Sequence, residues 1–202
     1  KDPRTGSEHR MTKGPLIIVS GPSGSGKSTA IAHLLDAMAA AGLPLHLSVS
    51  ATTRLPRTGE ADGVHYHFWT GAQFDRAVAA AEFLESASVH GARYGTLRRE
   101  VDAYREQGSG VILEIDVQGA AQIRARYPDC VSIFLRASSL AAYEQRLRKR
   151  GTEHEDAIRD RVAAAERELQ SAGEYDYAVI NDDLDRAVAD LSAIVQQQFA
   201  KG

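Results

Sequence analysis

Apolar residues along this chain recur with two periods, and the change from one to the other marks out its elements. Continuous β-like runs stand at Leu16 to Ser20, His46 to Ser50, Gly110 to Asp116, Val131 to Arg136 and Tyr177 to Ile180. Helical spacing lies between them. Ile31, Leu34, Leu35 and Met38 fall on one face of a first helix that "AAGLP" ends, and further helical patterns cover Leu97 to Gln107, Gln118 to Tyr127, Ser139 to Arg150 and Glu155 to Ala172. A closing amphipathic helix carries Leu184, Ala187, Val188, Leu191, Ile194 and Val195. Strands that alternate with helices in this way predict an α/β fold with a parallel sheet covered by helices.

Two stretches break the alternation. "TTRLPRTGEADGVHYHF", Thr52 to Phe68, is rich in turn formers and basic residues; a short helix around Phe74 to Ala81 follows, and "EFLESASVHGARYGT" then alternates like strands. This reads as an inserted β-containing subdomain. Tyr143 to Arg161 holds two charged helical segments joined by a turn at Gly151 to Glu155, the pattern of an exposed lid hinged by glycine. The opening "KDPRTGSEHRMTKG" is polar and irregular. Residues 1–13 are therefore set outside the fold, as a tag remnant or disordered leader with Met11 a candidate natural start, and residues 14–202 are read as one domain with mobile subdivisions.

Composition narrows the function classes. The 27 acidic and 24 basic residues leave a formal charge of −3, which gives no support to nucleic-acid or membrane-surface binding through bulk charge. Any anion must be bound locally. The single cysteine, Cys130, sits in an apolar β-like run and cannot form a disulfide within the chain, so a buried thiol in a reducing cytoplasm is expected. The sequence has no apolar stretch long enough to span a bilayer and no signal-like apolar segment. It leaves monomer and homodimer both open.

A local anion site is written at "IIVSGPSGSGKSTAI", Ile17 to Ile31. Gly21, Gly26, Lys27 and Ser28 match GxxxxGK[ST] between a strand-like and a helix-like segment, which is the context this P-loop pattern requires. Gly21, Pro22, Ser23, Gly24, Ser25 and Gly26 form the loop, whose glycines let successive N–H groups point into one concavity. The following helix, from Lys27 through Ser28 and Thr29, aims its positive end at the same point. Lys27 can reach β and γ phosphates and the Ser28 hydroxyl can ligate magnesium. The alternative, a glycine-rich turn with an exposed lysine, does not account for the full pattern. The expected ligand is a nucleoside triphosphate with Mg2+.

Other candidates depend more on context. Arg54 and Arg57 flank Pro56, and two guanidiniums on a stiffened loop suit the dianion of a monophosphate, although arginines in a polar loop can simply be solvated. Asp116 closes a buried strand at its carboxyl end, where ligands collect in open α/β sheets; it can act through magnesium-bound water, cap the next helix, or both. Glu114, two residues earlier, projects on the same side. Arg146 and Arg150 share a helical face and Arg161 begins the return across the lid, so the three could converge on a transferring phosphoryl group or form solvated charged faces. His65 and His67 share one side of a strand without further ligands at metal spacing, and Trp69 beside Phe68 reads as packing.

Taken in order, "GPSGSGKST", "SVSATTRLPRTGE", "YGT", "LEIDVQG", "RLRKRGTE" and "NDDLD" resemble the guanylate kinase family over nearly all of Leu16 to Phe199. The resemblance implies a P-loop NTPase core, a GMP-binding subdomain at about 48–99, a lid at about 139–166, and magnesium-dependent transfer from ATP to GMP. It implies that Arg54 and Arg57 grip the GMP phosphate with Tyr66 and Tyr94. It also implies that Glu85 reads guanine, with Ser50, Thr96 and Asp116 around the base, Glu114 secondary, and Asn181 near the ATP base. A carboxylate suits guanine because N1–H and the exocyclic amine are adjacent donors, whereas adenine offers an acceptor at N1. The alternative is a catalytically inactive guanylate-kinase-like module that binds protein partners, which would be expected to lack the P-loop residues or the phosphate-gripping arginines. One departure is visible: many relatives carry adjacent prolines where this chain has "LRASSL", Leu135 to Leu140, and lid stiffness depends on what replaces them.

Overall fold

A computed structural model describes residues 13–89, 91–149 and 155–201. Five parallel strands make the main sheet in the order β2-β7-β1-β8-β9, with β1 at Leu16–Ser20, β2 at Leu45–Leu47, β7 at Gly110–Glu114, β8 at Val131–Arg136 and β9 at Tyr177–Ile180. Every residue of β1 is fully buried, because both faces of the sheet are covered. Ile17 and Val19 pack with Ile31, Leu34 and Met38 of α1 (Lys27–Ala40) and with Ala187, Leu191 and Val195 of α7 (Leu184–Phe199). Leu16 and Ile18 face the other way, onto Val101 of α3 (Arg98–Glu106) and onto Ala120 and Ile123 of α4 (Val117–Arg126). The strand is therefore an uninterrupted apolar run whose alternate residues enter two cores.

A second sheet is built from the insert, in the order β4-β3-β6-β5, with β3 at Ala51–Thr52, β4 at His67–Phe68, β5 at Phe83–Val89 and β6 at Ala92–Leu97. Its core is Ala51, Phe74, Ala77, Phe83 and Leu97, with Trp69 packed against them. Phe74 comes from α2 (Gly71–Ala79), which a reciprocal Thr70–Gln73 capping box starts, and it stacks on Phe83 at 4.6 Å.

Three boundaries differ from the sequence pattern. The run His46 to Ser50 is not one strand: Ser48 N–H still bonds Ile112 O in the main sheet, while Ser50 O already accepts from His67 N–H in the second. The backbone crosses between sheets while extended, so its side-chain period gives no sign of the crossing. β7 stops at Glu114 because Asp116 turns to cap α4, accepting from Gly119 N–H at 2.9 Å. The long helix at the end of the charged stretch is α6 (Glu155–Leu169) followed by a tighter 3-10 turn, Gln170–Glu174.

α5 (Leu140–Lys149) and α6 pack through Tyr143 and Ala165, which form a small core with Ala137. Residues 1–12 of the expected leader, the turn at 151–154 and Arg150 lie outside the described residues. Among the described residues, no helix is long and apolar enough to cross a membrane.

Candidate active site

The P-loop leaves the carboxyl edge of the sheet at Ser20 and turns back into α1. Two of its glycines are required by close approach as well as by conformation. Gly21 has φ +142° and a Cβ there would lie 2.0 Å from Leu135 O; Gly26 has φ +84° and a Cβ would lie 2.5 Å from Asn181 Nδ2. Gly26 stands at the helix N-cap and offers no side-chain cap, so the positive end of α1 stays turned toward the loop. Lys27 Nζ arches over that loop, donating to Gly21 O at 2.6 Å and Pro22 O at 3.1 Å. The Ser28 hydroxyl donates to Glu114 Oε1 at 2.8 Å, which brings the P-loop helix and the end of β7 together.

A cleft of about 310 Å³ opens here, between the two sheets' residues. Gly21, Ser23, Gly24, Gly26, Lys27, Ser28 and Thr29 line it from the P-loop and α1, Ser50, Arg57, Tyr66, Glu85 and Tyr94 from the insert, and Glu114, Asp116 and Arg161 complete the lining. Ser28 and Glu114 are hard oxygen donors 2.8 Å apart, and Asp116 lines the same cleft with a further carboxylate; oxygen donors of this kind fit magnesium.

Glu85 is only 4 % exposed. Its Oε1 accepts from both Thr96 N–H, at 3.0 Å, and Thr96 Oγ1, at 2.7 Å. Thr96 thus stands behind the carboxylate. Burial pushes the Glu85 carboxyl up to about 7 against the pull of these two donors, and the nearby Asp116 adds to the rise. Burial also pushes the Tyr66 hydroxyl up to about 12, so it remains a donor at any ordinary pH. Tyr66 and Tyr94 meet edge to face at 5.9 Å.

The two loop arginines part company. Arg57 lines the cleft, but Arg54 is held by Glu60 through two bonds, Nη1 to Oε2 at 2.9 Å and Nη2 to Oε1 at 2.8 Å. Glu60 Oε2 also accepts from Arg57 N–H at 2.7 Å, and its carboxyl is held below the usual range by the Arg54 guanidinium. Arg54 lies 5.5 Å from the centre of the Tyr66 ring.

Of the arginines expected in the lid, the two described, Arg146 and Arg161, are not brought together either. Arg161 Nη1 reaches Ser23 Oγ at 3.4 Å in the main cleft. Arg146 instead donates to Ser25 O at 3.4 Å and to Asn181 O, in a separate groove of about 340 Å³ lined with Lys149, Asn181, Asp182 and Leu184. Gly24, Gly26 and Thr29 line both spaces, so the P-loop is the wall between them. Asn181, buried, fixes that wall by donating from Nδ2 to Ser25 O at 2.7 Å.

Sequence reasoning passed over two residues of this site. Glu60 lies inside a quoted motif, and an acid three and six residues after two arginines across a Gly59 turn was the available signal. Gly119 gave a weaker one, a glycine in the first turn of a helix whose backbone does not need it.

The guanylate kinase family profile matches residues 13–198. A guanylate kinase of Methylobacillus flagellatus is 46% identical over 186 residues, covering 92% of this chain and 90% of the relative. One of Rubrobacter xylanophilus is 46% identical over 192 residues, covering 95% and 98%. Among solved structures, guanylate kinase from Anaplasma phagocytophilum superposes with a TM-score of 0.77 at 28% identity, over 93% of this chain and 87% of that one. With the P-loop, the second sheet and the paired helices of the resemblance all in place, the chain belongs to the guanylate kinase family.

Proposed function

We propose that this chain transfers the γ-phosphoryl group of ATP to GMP, giving ADP and GDP, in the cleft between the P-loop and the second sheet. One observation carries the reading: a phosphate-cradling loop and a buried carboxylate presented as a base reader, Lys27 and Glu85, open on the same space. On it, the insert is the acceptor-binding unit and α5 with α6 is the lid. The P-loop amides and Lys27 hold the donor phosphates. Arg57, Tyr66 and Tyr94 hold the acceptor phosphate, and Arg54 joins them by exchanging Glu60 for the phosphate. Glu85 takes the N1–H and amine of guanine, with Ser50 beside it.

An oxygen of the GMP phosphate then attacks the γ-phosphorus in line as the bond to the ADP oxygen breaks. That oxygen is already anionic near neutral pH, so no protein base is needed; position and charge neutralisation carry the step. Arg161 adds positive charge on the transferred group, and closure of the helical pair keeps water out. Arg146, with Asn181, serves the donor base groove rather than the reacting atoms. Ser28, Glu114 and Asp116 would hold magnesium, whose contribution is to offset charge on the donor phosphates.

Lys27, Ser28, Arg54 and Arg57 all stand in their loops, and nothing favours the catalytically inactive module. A cytoplasmic setting suits the one thiol, Cys130, which is half-buried and pushed up to about 11 by burial. The test is GDP formation in a coupled assay. Lys27→Ala is expected to stay folded and lose roughly three orders of magnitude in turnover, since a charge contact to the transferred group is removed. Turnover near that of the wild type would overturn the donor-site reading.

A further inference from the structure

Gly119 is the third residue of α4, and its N–H donates to the helix cap Asp116. Its backbone is not in a left-handed conformation, so an ordinary residue would fit the helix and favour it more than glycine does. What excludes a side chain is the neighbour. A Cβ at this position would lie 2.6 Å from Glu85 Oε2, 3.0 Å from Glu85 Cδ and 3.2 Å from Asp116 Oδ1.

Glu85 has little freedom to give way. Its other oxygen is held by two Thr96 donors, and the side chain is buried. A Cβ at 119 would force the carboxylate to break these bonds or to rotate its outer oxygen away from the helix.

We propose that Gly119 determines base specificity as a positioning residue: the space left by its missing side chain seats the Glu85 carboxylate, between Thr96 and α4, at the angle that meets both donors of guanine. The inference rests on the reading of Glu85 as the guanine-binding group. Gly119 itself touches no substrate in this scheme. Its effect on the base passes through Glu85.

The experiment compares GMP with IMP, which keeps N1–H but lacks the 2-amino group. Gly119→Ala is expected to lower kcat/KM for GMP on the order of 10- to 100-fold, as a displaced positioning group does. The loss should be larger for GMP than for IMP, so the preference between them contracts. A general loosening of the fold would lower both alike, and a GMP-to-IMP ratio equal to that of the wild type overturns the inference. Glu85→Gln separates the two claims. If it too leaves the ratio unchanged, the base is read elsewhere; if it collapses the ratio while Gly119→Ala does not, only the role of Gly119 is lost. Melting temperatures decide the case even if Gly119→Ala is too unstable to assay. In a Glu85→Ala background, Gly119→Ala should no longer destabilise and should raise the melting temperature by helix propensity; an equal destabilisation in both backgrounds also overturns the inference.

Discussion

Glu85 pays for its position twice, once in burial and once in the nearby Asp116, and both costs fall on its charged form. Folding therefore favours the protonated carboxyl, and the direction of the pH effect follows. Between the ordinary value of 4.5 and about 7 the folded chain binds more protons than the unfolded one, so the stability of the ligand-free protein falls as pH rises through that window. Glu85→Gln should remove this decline, which denaturant titrations across the window would measure. Guanine recognition has the opposite sign, because two donors call for the carboxylate. The kcat/KM for GMP should rise with pH through about 7 in the wild type and lose that limb in Glu85→Gln. Ionisation of the acceptor phosphate, at about 6, is present in both and serves as the internal reference. Overlapping profiles would mean that Glu85 does not titrate in contact with the base. The sequence could name this carboxylate only through its resemblance to a family. Its burial and its Thr96 and Gly119 neighbours arise from a hairpin and a helix that no local pattern brings together.

At the junction between β8 and α5, the absent prolines are replaced by hydrogen bonds that prolines could not make. Ala137 N–H donates to Tyr143 Oη at 2.8 Å, and Ser138 N–H donates to Asp182 Oδ1 at 3.0 Å. The first bond ties the junction to the buried side chain that packs α5 on α6. The second ties it to the loop that carries Asn181, and the Ser138 bonds hold the Asp182 carboxyl below its ordinary value. Stiffness at this junction comes from contacts rather than from restricted backbone. Tyr143→Phe keeps the packing but leaves the buried Ala137 N–H without an acceptor, and should destabilise the protein by about 1 to 3 kcal/mol. Unchanged stability in a urea titration would show that the junction is held by other means. Element types were legible in the sequence because Val131–Arg136 and Tyr177–Ile180 are apolar runs bounded by charge and turns. The departure at Ala137 was visible too, but its compensation was not: Tyr143 and Asp182 are assigned to it by packing and by a loop 44 residues away.

Across the whole molecule, the two halves of the cleft come from different sheets. The main sheet supplies the P-loop and the Ser28–Glu114 pair; the second sheet supplies Arg57, Tyr66, Glu85 and Tyr94. The P-loop half is contiguous in the chain and was read directly from its spacing. The other half is assembled from residues between Ser50 and Thr96, and spacing alone could not show that Arg54 would be partnered by Glu60 or that Arg146 would fall behind the P-loop. Two halves with separate frameworks should bind their nucleotides separately, and thermal denaturation can test this without turnover. ATP alone and GMP alone, each at about a hundred times its dissociation constant, should add roughly 2.7 kcal/mol to stability and raise the melting temperature. Lys27→Ala should lose the shift given by ATP and keep the shift given by GMP. Arg57→Ala should do the reverse, because Arg57 lines the cleft from the insert and, on the proposed reading, holds the acceptor phosphate. If either substitution abolished both shifts, the two sheets would have to act as one binding unit, and the division of donor and acceptor between them would be wrong.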